Sequence, residues 1–245
     1  MAFSLDTVKV AVLQSIDFQP GKILDVGAGD GKLLAALAEH FPSAELHATD
    51  YTSQFMKFSG CELRIANIDL DPLPYLDSTF DLVVITEVVE HLENYHRVLR
   101  EIHRILSPGG MIVVTTPNIL SLKSRISFVK TGFWNLFGPL PLDSKRLEGT
   151  AGHITPVHYF HLVYSLSHAG YSDIKLSMDK AQKTSMAMYG IFFPFIVLFR
   201  AAFISRESNK YKTINRLNLP FARSVNSFQA LVARSILVTA KKGES

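Results

Sequence analysis

Two short stretches gather the side chains best suited to chemistry. The first, Glu87-Val88-Val89-Glu90-His91, sets two carboxyls and an imidazole close together. The second, Gly152-His153-Ile154-Thr155-Pro156-Val157-His158, adds two imidazoles. Imidazole is the side chain whose ordinary pKa suits acid–base work near neutrality. Carboxyls and imidazoles together can also hold a divalent ion, which lowers the pKa of a bound hydroxyl and replaces a strong base. A third stretch, ILDVGAGDGKLLAALA (Ile23–Ala38), suits binding. An apolar run meets Gly27, Gly29 and Gly31, and a helical pattern follows at once. Glycine admits positive φ and lets a ligand approach the backbone closely. A helix N-terminus offers free N–H groups to an anionic group. An ordinary tight turn between strand and helix needs one glycine, so three at this spacing mark a ligand loop.

The elements that must carry these residues follow from periodicity. Lys22–Val26, Glu45–Thr49, Glu62–Ile65, Phe80–Thr86 and Met111–Thr116 read as strands. FDLVVIT and MIVVTT are continuous apolar runs, as strands buried on both faces require. Helices are predicted over residues 5–16, Lys32–His40, Tyr95–Ile105 and Val157–Ala169. Ser107-Pro108-Gly109-Gly110 stops the third, and Thr155 with Pro156 starts the fourth as N-cap and first helical residue. The alternation predicts an α/β fold, a doubly wound, mostly parallel sheet with helices on both faces. Ligands of such sheets bind beyond the carboxyl ends of the strands, where the glycine loop and EVVEH fall. Residues 119–151 break the rhythm as a loop-rich stretch with Phe128, Phe133, Trp134 and Phe137, and 119–155 is read as a lid on the acceptor side. Ile174–Met178 and Ser235–Ala240 read as the last two strands, with residues 182–232 inserted between them.

The 245 residues are expected to form a single domain (1–245), and 47% apolar residues suffice for its core. One cysteine, Cys61, excludes a disulfide framework and fits a reducing, cytoplasmic setting. The N-terminus lacks a basic region followed by a long apolar core, so no signal peptide is expected. The net charge of +3 is unevenly placed. From Lys175 to Ser245 twelve basic residues face three acidic ones, a charge of +9, and the rest of the chain carries −6. Within that basic part lies MAMYGIFFPFIVLFRAAFI, residues 186–204. Its uninterrupted section, Met186–Phe199, is shorter than the ~20 residues a membrane span needs, and Arg200 ends it. A helix or helical hairpin lying on a membrane surface, with contact through 186–223, is the expectation. A dimer interface, a cover on the acceptor pocket and simple packing on the sheet compete with it. The apolar content disfavours nucleic acid as the partner of this charge.

The glycine spacing is G-x-G-x-G rather than the G-x-G-x-x-G of a dinucleotide site, which disfavours a nicotinamide dehydrogenase. With Asp25 ahead of it and Asp30 in its last gap, it resembles motif I of the class I S-adenosylmethionine-dependent methyltransferases. Asp50 in LHATDY, Asp69 in NIDLDPLP, FDLVVITEVVEHL and LSPGGMIVVTTPN are similar to that family's further landmarks, in its order. The resemblance covers about residues 20–118 closely and 150–180 loosely. It implies a seven-stranded sheet and S-adenosyl-L-methionine as cofactor. Asp25, Gly27 and Gly29 would lie beside the methionine part, Asp50 on the ribose and Asp69 near adenine, with Glu87 added to the cofactor-binding set. EVVEHL further resembles an E-x-x-E-H set in the quinone-biosynthesis O-methyltransferases and in the small-RNA 2′-O-methyltransferases, where with a later His it binds a divalent metal. By position, the metal ligands here would be Glu87, Glu90, His91 and His153. A metal-free base at His91 or His153, and purely structural roles, stand beside that reading. The implied function is methyl transfer to oxygen of an amphipathic or lipid-linked small molecule or glycan, by a cytoplasmic protein peripheral to the membrane. A small-RNA 2′-O-methyltransferase and a non-catalytic cofactor-binding membrane scaffold are the alternatives, and the oligomeric state stays open.

Overall fold

A computed structural model of the chain describes residues 2–140, 142 and 152–244. Most of the stretch 141–151, part of the expected lid, lies outside the described residues. Seven strands form one sheet: β1 (Lys22–Val26), β2 (Glu45–Asp50), β3 (Glu62–Ile65), β4 (Phe80–Thr86), β5 (Leu106–Pro117), β6 (Tyr171–Met178) and β7 (Ser235–Lys242). Their order is β3-β2-β1-β4-β5-β7-β6. The first five are parallel, and β7 runs antiparallel between β5 and β6. The chain order reverses between β1 and β4, so the ends of these two strands flank a crevice.

Both faces are covered, which is why the central strands are apolar throughout. On one face α1 (Ala2–Ser15) and α2 (Lys32–His40) pack Val8, Val12, Leu34 and Leu37 on Ile23, Leu82, Val84 and Val113. On the other, α3 (Tyr95–Ile105) and α5 (Tyr159–His168) pack on Leu24, Val83, Ile85, Ile112 and Val114. The buried stripe of α3 is Tyr95, Val98, Leu99, Ile102 and Ile105, the spacing of one helical face. Asn94 caps it, its side chain accepting from the Arg97 N–H at 3.1 Å.

Three local expectations need correction. The strand β5 begins at Leu106 rather than Met111, because Leu106 pairs with Phe80 and the register shifts before Leu82. Residues 119–151 are not all loop, for Leu122–Thr131 is helix α4. Its signals were present: Ser121 accepts from the Ser124 N–H, and Gly132 ends it at φ 76°. Thr155 does not cap α5; its Oγ1 donates to the Leu92 carbonyl at 2.7 Å. The cap is His158, whose Nδ1 accepts from the Phe160 N–H. Burial first, then the neighbouring His161 and Arg125, push the His158 pKa down to about 4, so the ring stays neutral as an acceptor must.

Between β6 and β7 lie one long helix, α6 (Lys183–Arg206), and two short ones, α7 (Leu219–Ser224) and α8 (Phe228–Val232). The apolar stretch is thus a single helix rather than a hairpin, with Pro194 inside it and a π-helical turn, Glu207–Tyr211, at its end. Met188, Tyr189, Phe193 and Ile196 dock it on Leu122 of α4 and on Leu231 and Val232 of α8.

Candidate active site

The glycine loop leaves β1 with Gly27, Gly29 and Gly31 at φ of 76°, 55° and 77°. The Gly27 N–H donates to the Thr49 carbonyl at 2.7 Å, and the Gly29 N–H to Asp50 Oδ2 at 2.9 Å. Asp50 thereby ties the end of β2 to the loop. A side chain at Gly27 would drive its Cβ into Val88 Cγ2, whereas nothing lies within 4 Å of a Cβ at Gly29. Both alanine variants meet left-handed strain of roughly 1–2 kcal/mol. Gly27→Ala also overpacks, so it should cost roughly 1–3 kcal/mol more than Gly29→Ala in urea unfolding. Equal costs would mean that Val88 does not close on the loop.

A cavity of about 260 Å³ lies over this loop, and Asp25, Gly27, Gly29 and Glu87 line it. Asp6 and Lys9 of α1 complete the wall. Asp25 is 1% exposed, and its Oδ1 has no hydrogen-bond partner among the described residues. Burial first, then the Asp50 charge, push its pKa up to about 7. A cation in the cavity would give this carboxyl the partner it lacks. A bare glycine cradle, an unpartnered buried acid and room above them fit a ligand with a cationic group.

Asp69 is not among the residues that line the cavity. Its two oxygens accept the backbone N–H groups of Glu93 and Asn94, at 2.9 and 3.1 Å. In this structure Asp69 braces the start of α3.

The second group stands at the end of β4, next to β1. Glu87 has φ 54°, its N–H donates to the Thr115 carbonyl, and its Oε1 accepts from Thr115 Oγ1 at 3.1 Å. Burial is the main cause that raises its pKa. Glu90, fully buried, sits in a short 3-10 turn, Val89–His91, and its Oε2 accepts from Thr116 Oγ1 at 3.0 Å. The Glu90 carbonyl accepts from the Ile154 and Thr155 N–H groups, which clamps the GHITP stretch against EVVEH. Its Oε1 has no partner among the described residues, and burial followed by the Glu87 charge holds the carboxyl well above its ordinary pKa.

His91 Nδ1 lies 2.9 Å from the Gly152 carbonyl. A carbonyl only accepts, so Nδ1 carries the hydrogen and Nε2 keeps a free lone pair. The His153 ring meets His91 edge-on at 4.9 Å and packs on Phe137 at 5.0 Å. Burial first, then His91, lowers the His153 pKa, and its Nδ1 is buried without a partner among the described residues. Ligand atoms of Glu90, His91 and His153 lie within 4.8 Å of one another. Glu87, expected as a fourth ligand, is not part of this trio; its positive φ and Thr115 hold its carboxyl elsewhere. Sequence reasoning missed Asp6 and Lys9, and also the Thr115-Thr116 pair that positions the two acids. Adjacent hydroxyls inside the apolar run MIVVTT were the available signal.

The chain resembles known proteins in part of its sequence and in its fold. The profile of the family described as "Methyltransferase domain" matches residues 24–114. Demethylmenaquinone methyltransferase of Thermus thermophilus is 32% identical over 111 residues, 42% of this chain and 50% of that protein. Malonyl-[acyl-carrier protein] O-methyltransferase of Geobacter sulfurreducens is 34% identical over 99 residues, 38% of this chain and 37% of that one. The chain spans about half the length of the first curated relatives it matches, or less. A crystal structure of an S-adenosylmethionine-dependent methyltransferase from Archaeoglobus fulgidus aligns over 98% of this chain and 95% of its own, with a TM-score of 0.60 at 19% identity. The fold is that of the class I methyltransferases. Residues 24–114 are thus similar in sequence to the methyltransferase-domain family.

Proposed function

We propose that the protein transfers a methyl group from S-adenosylmethionine to an oxygen of an amphipathic small molecule, in the cytoplasm and at a membrane surface. One observation carries this reading: an open glycine cradle with an unpartnered buried carboxyl, Asp25, lies one strand away from an imidazole with a free Nε2, His91. When bound, the donor supplies an activated methyl on a sulfonium. The chain's own part is placement. Gly27 and Gly29 let the donor approach the backbone, Asp25 faces its cationic amino-acid end, and Asp50 fixes the loop. Aligning donor and acceptor in this way is worth roughly 7–11 kcal/mol of barrier. His91 Nε2 then receives the acceptor's proton, and Phe137, packed on His153, borders the acceptor. Relatives named for demethylmenaquinone and for ubiquinone/menaquinone biosynthesis support a quinone-like acceptor, the latter being a C-methyltransferase by name, while the malonyl-[acyl-carrier protein] O-methyltransferase supports transfer to oxygen.

A second reading adds a divalent ion at Glu90, His91 and His153. It is favoured by two orphaned atoms, Glu90 Oε1 and His153 Nδ1, within a trio of suitable donors. The ion would polarise the acceptor hydroxyl, and Glu90 would ionise to hold it.

Incubation with methyl-labelled S-adenosylmethionine and a lipid extract tests both. Label is expected in an extractable product, and a folded, donor-binding protein that labels no acceptor fraction would overturn the reading. Activity lost in chelator and restored by Mg²⁺, Mn²⁺ or Zn²⁺ supports the ion. Full activity in chelator removes it.

A further inference from the structure

We propose that α6 is an in-plane membrane helix, whose outward face enters one leaflet of an anionic bilayer while the sheet stays in water. The helix is 24 residues long, about 36 Å at 1.5 Å per residue. Between its terminal Lys183 and Arg206 it holds one charged side chain, Arg200. Its most apolar 18-residue window has a mean hydropathy of 1.9, and none of that window is buried. The side turned to α4 and α8 uses Met188, Tyr189, Phe193 and Ile196. The other side presents Ile191, Phe195, Leu198 and Phe199 at 58–68% exposure. A helix that is apolar all round is normally buried in protein or in lipid, and this one has protein on one side.

Length and composition would also allow a crossing, but the sheet forbids it. The helix joins β6 to β7, which are hydrogen-bonded neighbours with Leu176 opposite Val238. A single crossing would put these strands on opposite sides of the bilayer. The return path cannot supply a second crossing, since among the described residues α6 with its π turn is the one helix long and apolar enough. The helix must therefore lie flat, its apolar face sunk about 5–10 Å into the leaflet.

Charge selects the occupant of that face. From Lys183 to Arg223 there are seven basic residues and one acidic one. Arg206 lies 5.8 Å from the Phe203 ring and 5.5 Å from Tyr211, and Lys210 lies 5.2 Å from Tyr211. Cations held over aromatic rings suit the boundary between acyl chains and headgroups. A second copy of the chain would bring the same positive charge against itself, whereas anionic lipid neutralises it.

The seat also adjoins the acceptor side, a step that rests on the methyltransferase reading. The neighbour of α6 is α4, whose Phe128 stacks on Trp134 at 4.1 Å. Trp134 pairs with Phe137, and Phe137 packs on His153. Aromatic residues thus lead from α4, the helix that packs beside α6, to the imidazoles, the side on which a lipid-linked acceptor would arrive.

Flotation with vesicles tests the seat. The protein should float with phosphatidylcholine vesicles containing a quarter phosphatidylglycerol, about tenfold more than with phosphatidylcholine alone. The variant I191S/F195S/L198S/F199S should lose about tenfold in flotation while its melting and S-adenosylhomocysteine binding stay unchanged. K210E/K212E/R216E should lose the preference for anionic vesicles. Undiminished flotation of the serine variant would overturn the proposal, and so would wild-type protein that floats with neither vesicle. A wild-type dimer by light scattering, monomeric in the serine variant and indifferent to vesicles, would give the face to a second copy and equally overturn it. Vesicle binding without S-adenosylhomocysteine binding would leave the seat standing and remove the methyltransferase reading.

Discussion

Asp25→Asn is expected to stabilise the empty protein at alkaline pH and to weaken its hold on the donor. The unfolded chain releases this proton near the ordinary value of 3.8, and the folded state releases it at about 7. Between those values the folded state binds the extra proton, so stability falls as pH rises from 3.8 and the loss is complete above about 7. The full penalty is roughly 4 kcal/mol. Asparagine carries no such proton. The variant's advantage in urea unfolding should therefore widen by roughly 2–3 kcal/mol between pH 5 and pH 8. A difference independent of pH would show that Asp25 is not held protonated. Binding should move the other way. A cationic amino-acid end favours the charged carboxyl, so wild-type affinity for S-adenosylhomocysteine should fall as pH drops below about 7, and Asp25→Asn should cost roughly 10- to 100-fold. A residue that destabilises the fold where it serves a ligand is the familiar exchange of stability for function.

His91→Ala is expected to lower turnover roughly 10²–10⁴-fold while leaving S-adenosylhomocysteine affinity within about twofold. His91 is not among the residues lining the cavity over the glycine loop, and its Nε2 is the group proposed to take the acceptor proton. Turnover close to wild type would leave His91 a structural hydrogen bond to Gly152. Glu90→Gln separates the two readings of this site. Burial and the Glu87 charge hold the Glu90 carboxyl well above its ordinary pKa, so the amide, which mimics the neutral acid, costs little if no ion is used. If an ion is used, the same change removes a ligand and activity falls with the histidine variant's.

Those parts of fold and site that depend on local physics were legible in the sequence. FDLVVIT had to be covered on both faces, and the close spacing of Gly27, Gly29 and Gly31 had to serve positive φ. What the sequence could not show depends on distant neighbours. An apolar run carries no direction, so the antiparallel β7 was invisible in SILVTA. The cap of α5 depends on which side chain the fold leaves near the Phe160 N–H, and the long-range bond from Thr155 to Leu92 decided it. Helix α4 buries little besides Leu122 and Ser124, too weak a stripe to read. Asp69 and Glu87 were legible as acids at strand ends. Their directions were set by the Glu93 and Asn94 amides and by Thr115, far away in the chain. Lys9 and Asp6 reach the cavity because α1 packs beside the loop, which no motif announces.

The most direct measurement is calorimetric titration of the purified protein with S-adenosylhomocysteine, alone and as Asp50→Ala. Asp50 holds the Gly29 N–H at 2.9 Å, so losing its carboxylate frees the loop and removes an acceptor beside it. Binding of micromolar order, lost or strongly weakened in Asp50→Ala with melting unchanged, is the expected result. A folded wild-type protein that takes up no S-adenosylhomocysteine would contradict the assignment of the glycine loop to that cofactor.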